Sequence, residues 1–143
     1  MPASLPCAVM HVMAGLLLGA DGRVLLAQRP PGKHLAGMWE FPGGKREPGE
    51  TPLAALAREL REELGITLQH AEPLVALPWN YGERELLLDA WRVEAWTGEP
   101  HPLEGQALQW QFPTRVDMGL LTPADRPILQ TLIDACDAAA PDR

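Results

Sequence analysis

Apolar runs bounded by turn residues predict a chain rich in β-strands. Residues 8–18 and 24–27 form two such runs, and they flank Asp21-Gly22, a dipeptide typical of tight turns. This pattern predicts a β-hairpin. Residues 38–41 alternate apolar and polar side chains, which predicts a short strand that Pro42-Gly43-Gly44 should end. Three later strands are predicted at 74–77, 85–96 and 107–112.

Helical signals mark two further segments. Residues 52–64 follow a Thr51 N-cap, start with a proline, and precede Gly65, which stands where a left-handed C-cap belongs. Four apolar residues of this helix share one stripe that should face the core: Leu53, Ala57, Leu60 and Leu64. Apolar positions recur at helical spacing over 123–140 and predict a second amphipathic helix, with 138–143 as a frayed tail or linker remnant.

Together these elements predict an α/β (α+β) fold, in which helices pack on a sheet. The chain has 143 residues, of which 46% are hydrophobic and 22% charged, as is typical of a soluble globular protein. At this length one domain spanning 1–143 is expected, with a core that needs neither disulfides nor a structural metal. Cys7 and Cys136 form no CxxC pair and have apolar neighbours, which predicts buried, reduced thiols.

Charge limits the partners that the chain can bind. The 12 Lys and Arg residues against 19 Asp and Glu residues give a net charge of −7, which opposes binding to polynucleotides and anionic membranes. A phosphorylated small molecule would also be repelled unless divalent cations offset the carboxylates. The apolar stretch 7–20 is too short to span a bilayer, and no Lys or Arg precedes it as in a signal peptide, so a cytoplasmic protein is expected.

Three carboxylates stand close together on the first helix. Glu59, Glu62 and Glu63 are spaced i, i+3 and i+4 and should share a face, while Arg58 and Arg61 should point round the other side. Like charges at this spacing destabilise a helix by roughly 0.2–0.5 kcal/mol per pair, and bound Mg²⁺ or Mn²⁺ would reverse that cost. A solvated helix with ordinary ion pairs is the alternative. The upstream Gly43, Gly44 and Glu50 favour one cation or phosphate site instead.

The string GGKREPGETPLAALARELREELGI resembles the signature of the Nudix hydrolases, which cleave nucleoside diphosphates linked to another moiety. The signature positions that match are Gly44, Glu50, Arg58, Glu59, Leu60, Glu62, Glu63, Gly65 and Ile66. The resemblance implies an α/β/α sandwich with a central mixed β-sheet. It also implies metal ligation by Glu59, Glu62 and Glu63 with the Gly43 carbonyl, and orientation of the glutamates by Arg58. Glu50 could ligate the metal or hold Arg58.

The resemblance extends to the MutT-type branch of the family, which removes pyrophosphate from oxidised nucleotides. It is carried by LLAQRPPGKHLAGMWEFPGGK, GERELLLDAWRVEAWTGEP, LEGQALQW and LTPADRPIL, in the expected order. The likeness implies that Glu104 lies on a loop beside the metals. It also implies a nucleotide pocket lined by Arg29, His34, Phe41, Tyr81 and Arg84. Each pocket residue equally fits an ordinary role in a loop, the core or a surface ion pair.

Asp125 departs from the bacterial MutT pattern, which has Asn at this place. An ionised Asp accepts hydrogen bonds from the N1–H and amino groups of a guanine-type edge, or from the amino group of cytosine, and cannot donate to a purine O6. The bacterial branch that hydrolyses cytidine triphosphate also resembles this chain, in LLAQRP, RELREELGI and ADRPIL. A helix N-terminal role is the alternative for Asp125. The preferred base is therefore open at this point.

The resemblance implies a metal-dependent nucleoside triphosphate pyrophosphohydrolase that removes 8-oxo-dGTP to prevent mutation. Water would attack the β-phosphorus and release the monophosphate and pyrophosphate, while Glu104 or Glu59 accepts the proton. A pyrophosphohydrolase for CTP or modified pyrimidine triphosphates is the first alternative. A non-catalytic nucleotide-sensing Nudix domain is the second, and the complete set of carboxylates disfavours it. A monomer is expected.

Overall fold

The computed structural model describes residues 9–139. Its strands are β1 (Met10–Leu17), β2 (Val24–Gln28), β3 (Trp39–Glu40), β4 (Gly43–Lys45), β5 (Thr67–Tyr81), β6 (Arg84–Thr97) and β7 (Leu108–Gln111). Its α-helices are α1 (Pro52–Leu64) and α2 (Arg126–Ala139), and three 3₁₀ turns lie between β7 and α2. The predicted mixture of strands and two helices is confirmed.

The strands form a mixed sheet of four and an antiparallel sheet of three. The larger sheet has the order β4-β1-β6-β5, with β1 and β6 parallel and the other pairs antiparallel. The smaller sheet has the order β3-β2-β7. One helix packs against each of two apolar clusters. The α1 cluster includes Met13, Leu17, Leu56, Leu60, Leu64 and Val93, and the α2 cluster includes Ala14, Leu16, Leu26, Ile128, Leu129 and Leu132.

The predicted hairpin of residues 8–18 and 24–27 is wrong as a strand pairing. A tight turn does form, with the Gly22 N–H donating to the Gly19 carbonyl, but only the isolated bridge Leu18↔Val24 joins the two runs. Strand β1 pairs instead with β4 and β6, and it is buried from Met13 to Leu17. A continuous apolar run is typical of a strand buried on both faces, whereas a two-stranded hairpin leaves one face in water.

Helix α1 has the predicted bounds and caps. The Thr51 hydroxyl accepts from the Ala54 N–H at 3.1 Å, and Gly65 is left-handed with φ +72°. The predicted core stripe is partly wrong, because Leu53 is 43% exposed and Ala57 is only half-buried. The helix turns a different face inward, with Ala55 and Leu56 buried beside Leu60 and Leu64. Gly15 of β1 makes this possible, because a Cβ there would stand 3.2 Å from Leu56.

Three other elements differ from expectation. Strand β5 is much longer than 74–77 and continues through Pro73 and Pro78, which an edge strand tolerates. The residues predicted to break a strand, Gly43 and Gly44, themselves form β4 against β1. Helix α2 begins at Arg126, after a 3₁₀ turn over Pro123–Asp125.

Two predictions concern the cysteines and the chain end. Cys136 is exposed and unpaired, so the prediction of a buried thiol is wrong for it, while Cys7 lies outside the described residues. Cys136 lies on the outward side of α2, whose inward side is formed by Ile128, Leu129 and Leu132. Within the predicted tail, 138 and 139 continue α2, and 140–143 lie outside the described residues. No helix among residues 9–139 is long and apolar enough to cross a membrane.

Candidate active site

Strand β4 brings bare backbone against the acidic face of α1. Gly43 has φ +153°, and a Cβ on it would overlap the carbonyl oxygen of Met13 in β1. A Cβ on Gly44 would overlap the carboxylate of Glu59. A side chain at Gly43 would force β4 away from β1, whereas a side chain at Gly44 would displace the Glu59 carboxylate. The two glycines therefore let the main chain lie directly beside the helix carboxylates.

Arg58 connects three of the predicted carboxylates. Its Nη1 donates to Glu59 Oε1 at 2.9 Å and to Glu62 Oε1 at 3.0 Å. Its Nε and Nη2 donate to both oxygens of Glu50, at 2.7 and 2.9 Å. The prediction that Arg58 points away from the glutamates is wrong, because residues spaced i and i+4 lie on the same face of a helix. Arg61 is exposed, as expected.

Glu50 lies against Arg58, as one of its two predicted roles requires. The paired hydrogen bonds from the guanidinium hold the pKa of Glu50 at about 2, and the same bonds raise the pKa of Arg58. Arg58 Nη2 also donates to the Lys45 carbonyl of β4 at 3.0 Å. The arginine thus ties the helix, the strand and the intervening loop together around the carboxylates.

Glu63 is the most strongly perturbed carboxylate of the helix. Its Oε2 accepts from the Gly43 N–H at 2.9 Å. Burial, followed by the charges of Glu59 and Glu104, raises the pKa of Glu63 to about 8 despite that hydrogen bond. Burial also raises the pKa of Glu59. Negative charge is therefore unfavourable here without added cations, and carboxylate oxygens are the ligands that Mg²⁺ and Mn²⁺ prefer. These residues fit a divalent metal.

The helix carboxylates are arranged around β4 and do not form a closed cage of ligand atoms. Across residues 9–139, one trio of His, Cys, Asp or Glu side chains places its ligand atoms within 4.8 Å of one another: His70, Glu72 and Glu94. All three are exposed residues of β5 and β6, and none belongs to the predicted site. Glu59 touches Gly44, Glu63 binds the Gly43 N–H, and Glu62 shares Arg58 with Glu59. Two of the predicted ligands, Glu59 and Glu63, thus lie against the β4 backbone, and Arg58 joins Glu62 to Glu59.

Glu104 lies on the exposed loop that follows β6. Its charge raises the pKa values of both Glu59 and Glu63, so it lies within electrostatic reach of the helix carboxylates. Its main-chain N–H donates to the side-chain oxygen of Gln106 at 2.9 Å. Sequence reasoning missed Gln106, because an isolated glutamine in a loop usually faces solvent, yet this residue is only 8% exposed.

Asp125 and Phe41 are the buried members of the predicted nucleotide pocket. Asp125 is 8% exposed, and its Oδ2 accepts from the Phe41 N–H at 3.0 Å. Burial raises the pKa of Asp125 to about 7, against the lowering effect of that hydrogen bond. Asp125 is the last residue of the 3₁₀ turn before α2, so it also stands at the N-terminus of that helix, where the alternative placed it. The Phe41 ring belongs to the core cluster of α2.

Three of the other pocket residues lie close together: Arg29, His34 and Tyr81. The Arg29 Nε donates to the His34 carbonyl at 2.6 Å, and its Nη1 pairs with Glu40 at 2.9 Å. The His34 ring stands edge-on to Tyr81, with 5.2 Å between ring centroids. Arg84 is exposed and lies opposite Tyr81 in the β5–β6 pairing. Glu40 was missed by the sequence analysis, although its alternation with Trp39 and Phe41 places it on the polar side of its strand.

The buried Asp125 carboxyl should make stability depend on pH. Its pKa in the folded protein, about 7, lies above the ordinary value of 3.8, so the folded state binds the proton more tightly between these values. The free energy of unfolding should therefore fall as pH rises through this window. Asp125→Asn keeps an acceptor for the Phe41 N–H and removes the titration. We expect it to be more stable than wild type at pH 8 by about 2 kcal/mol, and to lose this advantage near pH 4.

Urea denaturation at the two pH values checks this expectation. Asp117→Asn serves as the control, because Asp117 is exposed and its side chain also accepts from a main-chain N–H in a 3₁₀ turn. A constant stability difference between wild type and Asp125→Asn across the pH range would contradict the prediction.

The chain is similar to known proteins over most of its length. A NUDIX domain family model matches residues 13–131. The chain is 36% identical to an Escherichia coli 8-oxo-dGTP diphosphatase, over 86% of this chain and 95% of the relative. It is 42% identical to an Escherichia coli CTP pyrophosphohydrolase, over 92% and 97%. The crystal structure of a MutT NUDIX hydrolase from Burkholderia pseudomallei superposes with a TM-score of 0.79 at 28% identity, covering 88% of this chain and 99% of that one.

These findings confirm the predicted fold class, an α/β/α sandwich around a mixed sheet. Nudix hydrolases generally need a divalent metal, which agrees with the carboxylates beside β4. The enzymes of this family act on nucleotide triphosphates. The chain belongs to the Nudix family and is a hydrolase of phosphoric anhydrides.

Proposed function

We propose that the chain hydrolyses oxidised purine deoxynucleoside triphosphates, with 8-oxo-dGTP as the preferred substrate, to the monophosphate and pyrophosphate. The relative with this activity covers 86% of the chain, and the acidic site is complete. The net charge of −7 disfavours nucleic acid polymers as substrates, which favours free nucleotides instead. We propose that the protein acts on them as a cytoplasmic monomer. Removal of such nucleotides would prevent their incorporation into DNA.

One short segment carries this proposal, because its main chain contacts both the carboxyl proposed to bind the base and a carboxylate proposed to bind the metal. The Phe41 N–H donates to Asp125, and the Gly43 N–H, two residues later, donates to Glu63. A carboxyl suited to a base edge and the carboxylates suited to a cation are thus held on the same stretch of main chain. A bound nucleotide would place its base near Asp125 and its phosphates along Gly43 and Gly44. Neither group alone would indicate a nucleotide.

The metal proposed here is Mg²⁺ or Mn²⁺, held by Glu59, Glu62, Glu63 and the Gly43 carbonyl, with Glu104 close by. When bound, it supplies positive charge that offsets the phosphate oxygens and activates water. Arg58 holds Glu59 and Glu62 in place through hydrogen bonds of 2.9 and 3.0 Å, and Glu50 fixes Arg58. Gly43 orients Glu63 through its N–H. The chain's own contribution is therefore rigid placement of anionic oxygens.

Glu104 is the better of the two candidate proton acceptors. Glu59 already accepts from Arg58, which occupies one of its carboxylate oxygens. Within residues 9–139, the Glu104 carboxylate accepts no hydrogen bond, and the residue is exposed. It is therefore free to take the proton that the attacking water loses as its oxygen bonds to phosphorus. Glu59 then serves as a ligand.

Hydrolysis in water labelled with oxygen-18 should place the label in pyrophosphate. Attack at the β-phosphorus forms the new bond there and expels the nucleoside monophosphate with its bridging oxygen. Mass spectrometry of both products locates the label. Label in the monophosphate would mean attack at the α-phosphorus and would contradict the mechanism.

A second candidate substrate class follows from one comparison. The CTP pyrophosphohydrolase relative is 42% identical over 92% of the chain, against 36% over 86% for the 8-oxo-dGTP diphosphatase. An ionised Asp125 can accept from the cytosine amino group as well as from a guanine-type edge. A pKa of about 7 adds a protonated form of Asp125 that can donate, whereas the argument from the sequence considered the ionised form.

A substrate panel tests the proposed function. We expect kcat/KM for 8-oxo-dGTP with Mg²⁺ to exceed the values for CTP, 5-methyl-dCTP and dGTP by at least about tenfold, the discrimination that a preferred substrate requires. Pyrophosphate release measures each rate, and Asp125→Ala should reduce the spread between substrates. Faster release from the cytidine derivatives would establish the second candidate instead. Binding of all four nucleotides without turnover would indicate a sensing domain.

A further inference from the structure

The loop that carries Glu104 is hydrogen-bonded to the last turn of α1. The Leu103 N–H donates to the Glu63 carbonyl at 3.1 Å, and the His101 N–H donates to the Leu64 carbonyl at 3.0 Å. Gly65 leaves room for this approach, because a Cβ on it would stand 3.2 Å from the Leu103 side chain. The loop thus covers carbonyls at the end of the helix that need partners outside the helix.

Gln106 is the side chain that completes this attachment. Its amide oxygen accepts from the Glu104 N–H at 2.9 Å, and its amide nitrogen donates to the Glu63 carbonyl at 3.1 Å. Both the oxygen and the nitrogen of the buried Gln106 amide are therefore hydrogen-bonded. Only an amide supplies an acceptor and a donor at this spacing, since a carboxylate lacks the donor and an apolar side chain lacks both. Glutamine is mostly exposed in proteins, so the burial of Gln106, which is 8% exposed on a surface loop, is explained by these two hydrogen bonds.

The two residues that Gln106 joins are both members of the acidic site. The Glu63 side chain accepts a hydrogen bond from the Gly43 N–H, and the Glu63 main-chain carbonyl accepts one from the Gln106 side-chain amide. Glu104 is connected to the rest of the site through its main chain alone, because its side chain accepts no hydrogen bond within residues 9–139. The place of the Glu104 carboxylate therefore depends on how the loop backbone is held.

We propose that Gln106 is a positioning residue, which fixes the Glu104 carboxylate relative to Glu63 by joining the Glu104 N–H to the Glu63 carbonyl. This inference rests on the proposed function, in which Glu104 accepts the proton from water. A small displacement of a group that must face the attacking water costs rate without costing affinity for the nucleotide. Gln106 therefore acts on kcat through Glu104.

A double-mutant cycle tests this role. Gln106→Met keeps the length of the side chain and removes both hydrogen bonds. We expect it to lower kcat with Mg²⁺ and the best nucleotide of the substrate panel by roughly 10- to 100-fold, the range found for groups that orient a functional residue, with KM changed by less than about twofold. In a Glu104→Gln background the same substitution should change kcat by less than about twofold, because the group it positions no longer accepts a proton.

Matched variants separate this role from a general loss of structure. Gln106→Glu keeps the acceptor for the Glu104 N–H and should retain more activity than Gln106→Met. Gln69→Met removes an exposed amide hydrogen bond to Thr97 and should leave kcat unchanged. Equal losses from Gln106→Met in both backgrounds, or a rise in KM alone, would overturn the inference. An unaffected Glu104→Gln enzyme would also overturn it, while the proposed activity would stand; absence of turnover in wild type would instead reject the proposed function.

Discussion

Glu62→Gln is expected to lower kcat/KM with Mg²⁺ by roughly 10²- to 10³-fold, the loss typical of removing one group that stabilises charge in a transition state. The Glu62 side chain is 49% exposed, and its hydrogen bonds go to Arg58. Its replacement should therefore leave the fold intact. Glutamine keeps the shape and removes the negative charge that a divalent cation needs. Initial rates of pyrophosphate release over a range of Mg²⁺ concentrations measure the effect, which higher Mg²⁺ should partly relieve.

Glu72→Gln provides a closely matched control for that experiment. The Glu72 side chain is 48% exposed and accepts one hydrogen bond from a basic partner, His70, at 2.9 Å. It lies on β5, outside the predicted ligands. We expect wild-type activity from this variant. Two results would refute the assignment of the helix carboxylates: equal activity of Glu62→Gln and wild type, or full activity of wild type in excess chelator.

Gly43→Ala is expected to destabilise the protein by about 3 kcal/mol, because the new methyl group would overlap the Met13 carbonyl and the backbone φ of +153° disfavours a side chain. Strand β4 would have to leave β1 to relieve the overlap. Glu63 would then lose its hydrogen bond from the Gly43 N–H, so activity should fall with stability. Urea denaturation gives the free energy of unfolding, and pyrophosphate release gives the activity.

Gly49→Ala distinguishes the overlap from the cost of the backbone angle. Gly49 has φ +86°, and a methyl group added there would meet no other atom within 4 Å, so its substitution should cost only about 1 kcal/mol. If both variants lost the same stability, the close approach of β4 to β1 would not be what requires glycine at position 43.

Local signals predicted part of the fold closely. The bounds of α1 follow from Thr51, Pro52 and Gly65, each of which acts on its immediate neighbours. Strand pairing is different, because Leu17 lies seven residues from Val24 in sequence but joins Val93 in the sheet. Nothing near the Asp21-Gly22 turn indicates that β1 and β2 enter different sheets. The hairpin prediction failed for this reason.

The sequence predicted which acidic residues form the candidate site, but it did not predict the hydrogen bonds that connect them to other residues. The spacing of Glu59, Glu62 and Glu63 placed them on one helix, and the resemblance to the Nudix signature gave them a role. The i, i+4 spacing of Arg58 and Glu62 places both on one face of the helix, and the prediction that Arg58 points away from the carboxylates overlooked this spacing. Gln106 and Glu40 were missed because their partners, Glu63 and Arg29, are distant in sequence and are met only after folding.

Strand β5 forms one border of the larger sheet, and it is 15 residues long. A long edge strand can pair with a strand of a second molecule, which is how many β-rich proteins start to aggregate. Pro73 and Pro78 each remove a main-chain donor from this border, and the bulges near His70 and Pro73 interrupt its regular spacing. The same irregularities that hid the strand from the sequence pattern thus leave fewer regularly spaced main-chain groups with which a strand of another molecule could pair.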